Sequence, residues 1–156
     1  MRDHLVNPTD DDPRLQKAIG FAREIYSLFE AGKDCSSRVR ELASLSGHPI
    51  HPFAVDTAFG SVSPETFARQ QLIEWHNLPA DLSDAEMLEM AERVANVSGD
   101  DFQTEYWIAC LALNTGDSRI SDLFFWPGEY FGDGDNSREL SASEIIATAF
   151  KSGGRQ

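Results

Sequence analysis

The sequence predicts an all-α protein made of two related four-helix halves packed as one unit. Three observations carry that expectation. Apolar residues recur at helical spacing along most of the chain. The segments open on Ser, Pro or acidic residues and close on Gly. The order long helix, second helix, short element, final helix occurs twice.

Residues 1–13 are polar and end in Asp10-Asp11-Asp12 before Pro13, which reads as a frayed leader closing on helix N-terminal signals. The first half spans 14–78. From Arg14 onward, Leu15, Ala18, Ile19, Ala22, Ile25, Leu28 and Phe29 share one helical face, and Gly32 stops the helix. A second helix covers about 36–45, with Val39, Leu42 and Ala43 inward, and Gly47-His48-Pro49 breaks it. A short apolar segment, 53–59, follows. Ser63-Pro64 then opens another helix, serine as N-cap and proline at the first helical position.

The second half spans 79–150. Ser83-Asp84-Ala85-Glu86 is a capping box before Met87, Leu88, Met90, Ala91 and Val94, and Ser98-Gly99 marks the end of that helix. Residues 101–114 predict a further helix, although Tyr106-Trp107-Ile108 also reads as a strand. After the turn Thr115-Gly116-Asp117 comes the aromatic segment Ser121-Asp122-Leu123-Phe124-Phe125-Trp126-Pro127, then a Gly/Asp-rich loop over 128–138. A second capping box, Ser141-Ala142-Ser143-Glu144, opens a last helix through Phe150, and 151–156 read as a mobile tail.

The halves match in spacing. Ser46-Gly47-His48-Pro49 precedes Thr115-Gly116-Asp117-Ser118 by 69 positions, and Ser63-Pro64-Glu65 precedes Ser141-Ala142-Ser143 by 78. The surplus of nine is the longer acidic loop of the second half. One irregular helical bundle with coincidentally similar turns is the alternative.

Charge is unevenly placed. Residues 1–80 hold 11 acids and 8 bases, a net of −3, whereas 81–156 hold 15 and 5, a net of −10. That field repels nucleic acid and speeds encounter with a basic protein; acidity for solubility alone is the plainer reading. No segment resembles a signal peptide or a membrane span, and Cys35 and Cys110 have no metal or redox spacing, so a soluble cytoplasmic protein with reduced thiols is expected.

Catalytic, cofactor and metal motifs are not evident. No Gly-rich phosphate loop, nucleophile elbow or recognisable carboxylate spacing occurs, so an enzyme is not expected. His48 and His51 lack a nearby third ligand, which favours turn and packing roles. Asp133-Gly134-Asp135-Asn136-Ser137 with Glu144 resembles a calcium loop, but Arg138 stands where that loop needs glycine, and Glu144 is better explained by the helix cap. An acidic, flexible loop is the default, with calcium-responsive binding as a minor alternative.

Residues 83–150 resemble the immunity proteins of DNase-type colicins and S-type pyocins, small acidic four-helix inhibitors of nuclease toxins. The resemblance rests on Ser83 to Met90, on Asn96, and most specifically on 121–127, where the family has Ser-Asp-Leu-Ile-Tyr-Tyr-Pro: four of seven positions are identical. It implies a toxin-binding surface shared through Asp122, Phe125 and Trp126, with specificity from the helix over 101–112, here carrying Asp101, Thr104, Glu105 and Ile108. Phe125 and Trp126 replace both family tyrosines, so hydrogen bonds through phenolic hydroxyls do not carry over, and fewer glutamates on the specificity helix leave the cognate toxin open. In the first half Phe53 stands where Asp122 would, which implies a copy that has lost binding and serves as a structural partner. The implied partner is a basic nuclease domain, with no nucleic acid, membrane or cofactor. Aromatic anchors at such a surface concentrate binding energy, and acids around them steer the partner in. A helical interaction or regulatory module without immunity function is the competing reading.

Overall fold

The computed structural model describes residues 1–153, the side chain of Pro52 excepted. Every regular element among the described residues is a helix. Two compact units divide the chain. The first is Asn7–Glu74; the second joins Met1–Val6 to Trp75–Gln156.

In the first unit α2 (Leu15–Glu30) packs against α5 (Pro64–Leu72) and α3 (Ser36–Ser46), with α4 (Pro52–Ala58) completing the set. Its core is Leu15, Ala18, Ile19, Ala22, Ile25 and Leu42 with Val55, Phe67, Ala68 and Leu72, so the 3.6-residue stripe of α2 is the buried face. Ser63 caps α5 by accepting the Thr66 N–H at 3.1 Å, and Pro64 occupies its first turn. Gly47 closes α3 in the left-handed region at φ 83°, where a side chain would be strained.

The second unit repeats that pattern of contacts. The helix α6 (Asp84–Ala95) packs on α7 (Asp101–Thr115) and on α10 (Ala142–Ser152). Both expected capping boxes are present, Ser83 with Glu86 and Ser141 with Glu144. Gly116 ends α7 in the same left-handed conformation as Gly47, at φ 80°. Between α7 and α10 lie α8 (Ile120–Phe125) and α9 (Pro127–Phe131).

Three expectations need correction. The stretch 1–13 is not a frayed leader. Asp3–Val6 forms the helix α1, Leu5 is fully buried in the second unit, and the Trp107 indole N–H donates to the Leu5 carbonyl at 2.8 Å. Arg2 pairs with Glu86 at 2.7 Å and with Asp81 at 3.1 Å. Residues 7–12 fold onto the first unit instead: Thr9 is buried, its hydroxyl accepting from Arg69 at 2.9 Å, and Asp10 pairs with the same guanidinium at 2.5 Å. A single buried Leu gives no periodicity to read, so the segment looked polar. The helix expected over 101–114 forms, by contrast, and takes in the strand-like run Tyr106-Trp107-Ile108, because α7 buries Phe102, Tyr106, Trp107, Cys110 and Leu111 on a wide face. The α6 helix stops at Ala95 rather than at Ser98-Gly99, closing in a Schellman motif in which the Ser98 N–H bonds the Arg93 carbonyl at 2.9 Å and the Val97 N–H bonds that of Val94 at 3.2 Å. At the other end of the chain, α10 continues through Ser152, so 151 and 152 are helical, while the part of the expected tail at 154–156 lies outside the described residues.

Candidate protein-binding surface

The aromatic segment folds as two abutting short helices sharing Trp126. Asp117, buried, starts the turn: its Oδ1 accepts the Arg119 N–H at 2.9 Å and its Oδ2 accepts the Tyr130 hydroxyl at 2.6 Å. Ile120 and Leu123 point into the core, at 0% and 2% exposure, and anchor α8. Phe124 is half-buried with its ring 6.1 Å from that of Phe125. Helical geometry then leaves Phe125 and Trp126 outside, 46% and 57% exposed. Trp126 ends α8 by donating its N–H to the Asp122 carbonyl at 2.7 Å, and its own carbonyl accepts the N–H groups of Glu129 and Tyr130 at 3.0 and 3.1 Å. Its backbone is thus fixed from both sides while its ring faces solvent.

Asp122 is half-buried and engaged. Its carboxylate receives Arg119 at 3.3 Å. The same guanidinium lies 5.2 Å over the Tyr130 ring and donates to the Glu129 carbonyl at 3.0 Å, so Arg119 ties α8 to α9. An exposed pair of this kind is worth under about 1 kcal/mol and can exchange for an incoming cation.

The region expected to be a flexible loop from Gly128 is ordered by backbone contacts. The Gly128 N–H donates to Asn136 at 2.8 Å, and its carbonyl accepts the N–H groups of Asp133 and Gly134 at 3.1 and 3.2 Å. A Cβ on Gly128 would meet Asn136 Oδ1 at 2.8 Å and the backbone of Gly134 and Asp135, so only glycine fits. Asp133 is held below the usual carboxylate range by the Asp135 N–H and then by Arg138, which also stacks 4.4 Å over Phe131. Asp135 is lowered by the hydroxyl and then the N–H of Ser137. The Asp135 N–H and Arg138 therefore engage the two carboxylate oxygens of Asp133. Among the described residues no group of three or more His, Cys, Asp or Glu could hold a metal ion. His48 sits between the Pro49 and Gln71 carbonyls at 3.1 and 2.6 Å, and His51 caps α4 by accepting the Phe53 N–H at 3.1 Å.

The expected specificity residues lie on the outward side of α7. Asp101 and Glu105 are exposed, and Thr104 and Ile108 half-buried, at the i, i+3, i+4, i+7 spacing of one face. Behind them, burial pushes the Cys110 thiol up to about 11 and raises Tyr106 well above its usual range. The structure brings Asp122, Phe125 and Trp126 together in one six-residue helix and its cap, and α7 packs directly on that helix.

Sequence reasoning missed α9, Phe131 at 45% exposure, and the bracing by Arg119. The signal was present: Pro127 at the first helical position and Gly132 just past the last are the usual asymmetric bounds of a helix. Gly and Asp content outweighed it. In the first unit, Phe53 at the position matching Asp122 is 70% exposed.

The fold and surface together define a class: an all-helical chain presenting braced, exposed aromatics in an acidic region. Comparison with family models, curated proteins and solved structures gives no match to this chain. Among the described residues no helix is long and apolar enough to cross a membrane.

Proposed function

We propose that this chain is an immunity-type inhibitor that binds a basic nuclease toxin domain one to one and blocks its access to DNA, acting by binding and not by catalysis. The observation that carries the reading is the exposure of Phe125 and Trp126 on a backbone braced from both sides, within a region of net charge −10. Aromatic side chains with few rotatable bonds on a held backbone lose little entropy on docking, so they suit the role of anchors. Asp122 exchanges Arg119 for a cation of the toxin, and Asp101, Thr104, Glu105 and Ile108 select the partner along α7. The acidic surroundings speed encounter and repel phosphate. A cytoplasmic site of action, protecting the producing cell, belongs to the same proposal.

The test is titration of the purified protein against DNA cleavage by the nuclease encoded beside its gene. Stoichiometric loss of cleavage is expected, with Trp126→Ala weakening binding by about 2–4 kcal/mol, the range of an interface hot spot. Retained inhibition with unchanged affinity in that variant would remove the site assignment, and absence of inhibition would remove the function. A second reading, a helical interaction module without immunity function, draws on Phe53, a further exposed aromatic in the other unit. It predicts a non-nuclease partner whose binding Phe53→Ala weakens.

A further inference from the structure

The first unit contains a cleft that the proposed surface does not use. About 420 Å³ in volume, it opens where α2, α3 and α4 meet. Phe29, Val39, Ile50 and Val55 form its apolar walls, and Cys35 and Arg40 stand at its edge. Val55 is 2% exposed and belongs to the core, whereas Phe29, Val39 and Ile50 pack against that core and keep part of their surface open. The volume falls in the range of small-molecule sites, about 300–1,000 Å³, and the mix of apolar walls with few polar groups is their usual composition.

Arg40 gives the cleft a sign. Arg2, Arg14, Arg38, Arg69, Arg93, Arg119 and Arg138 all lie in ion pairs. Like Arg23, Arg40 is exposed and in no ion pair among the described residues, in a chain of net charge −13, and it is the charged residue among those lining the cleft. The nearby carboxylate of Asp34 feels the charge of Arg40 without forming an ion pair with it, and accepts the Ser36 N–H at 2.9 Å and the Ser36 hydroxyl at 2.6 Å. A guanidinium held in no ion pair beside an apolar cavity is complementary to one negative charge on an aliphatic body.

We infer that the cleft bounded by Phe29, Val39, Ile50 and Val55 binds an amphipathic monocarboxylate, its chain in the cavity and its carboxylate on Arg40. A cationic amphiphile is disfavoured by Arg40, and a polyanion finds only one partner there. The site is independent of the proposed inhibition of a nuclease.

The structure supplies its own reporter. Cys35 at the cleft edge is partly exposed, while Cys110 is buried at 0% exposure, so a polar alkylating reagent reads Cys35 alone in the folded protein. The experiment titrates decanoate, below its micelle concentration, into the full chain, following heat of binding and the rate of Cys35 alkylation by iodoacetamide. Expected are saturable binding, slowed alkylation, and about tenfold weaker binding in Arg40→Gln, as for loss of a charge-assisted contact. Val39→Trp, which fills the cleft from a half-buried position, abolishes both signals, with unchanged helical circular dichroism as the control for folding. Decanol, lacking the charge, binds more weakly than decanoate and is indifferent to Arg40→Gln. No saturable binding, binding without protection of Cys35, or equal affinities in wild type and both variants would each overturn the inference.

Discussion

The two units share an order of helices, left-handed glycine stops at Gly47 and Gly116, and serine caps at Ser63 and Ser141, yet they differ in how they hold their short element. In the first unit α4 is tied by the His51 cap and by Val55, and its edge leaves an open apolar cleft. In the second, α8 is secured by buried Ile120 and Leu123, by Arg119, by the Asp117–Tyr130 bond and by the loop that closes on Gly128. One layout thus produces either a notch with apolar walls or a braced ledge with aromatics outside. The buried and polar side chains around the short helix, not the helix order, distinguish the two.

The largest way to break that contrast is to remove the second unit's central side chain. Trp107 is fully buried and bonds the Leu5 carbonyl, so it holds α1 as well as the core. Trp107→Ala is expected to destabilise the unit by about 3–5 kcal/mol, measured by urea unfolding. Helicity from the first unit then reports whether the loss stays in one unit. Trp75, Trp107 and Trp126 all lie in the second unit, so the remaining tryptophan emission follows that unit alone.

Gly128→Ala attacks the brace without touching an aromatic. The added methyl meets the backbone of Gly134 and Asp135, and displacing that segment is expected to cost about 1–3 kcal/mol, the range of an overpacked contact. Thermal unfolding measures the cost. Hydrogen exchange should rise at the Asp133 and Gly134 amides, which bond the Gly128 carbonyl. Unchanged exchange there would mean that the brace is not what orders the loop.

Val97→Gly works in the opposite direction. Val97 adopts φ 51° at the position of the Schellman motif where glycine is usual, and its side chain is 78% exposed, so little packing offsets the strain. Replacement by glycine is expected to stabilise the protein by about 1 kcal/mol, the order of the left-handed penalty of a residue with a Cβ. A higher urea midpoint with an unchanged slope is the readout. It sharpens the comparison because the glycine stops of α3 and α7 already lack this penalty.

How far the sequence foretold all this depended on where each signal lived. The stripe Leu15 to Ile25 on α2 and the two capping boxes are local patterns, and the structure realises them where they were expected. Three successive aromatics on a short helix beside Leu123 are hard to bury together, and Phe125 and Trp126 are the two left exposed. Hidden were contacts between distant residues: Leu5 beneath Trp107, Thr9 against Arg69, Asn136 on Gly128. Each involves at least one segment whose own composition reads as loop. The cleft at Val39 and Ile50 was equally invisible, since a partly filled core and a full one have the same hydrophobic pattern.

Acid titration offers the finest probe of the second unit's N-terminal attachment. Glu86 is lowered from the usual 4.5 to about 2, first by the Arg2 guanidinium and then by the Ser83 N–H. A carboxylate whose folded value is depressed adds stability that is fully present above its unfolded value and is lost as pH falls through the folded one. The contribution of Glu86 should therefore be intact above about pH 4.5 and decline between there and about pH 2. The pair is partly exposed at Arg2, so the effect is small and screened by salt. In Arg2→Gln the Ser83 cap bond remains while the main cause of the shift is gone, so the melting temperature of that variant should fall less steeply over this interval than that of the wild type. Parallel curves would mean that Arg2 does not fasten the N-terminal segment to α6, and that the burial of Leu5, the Trp107 bond to its carbonyl and the Met1–Glu89 pair hold it instead.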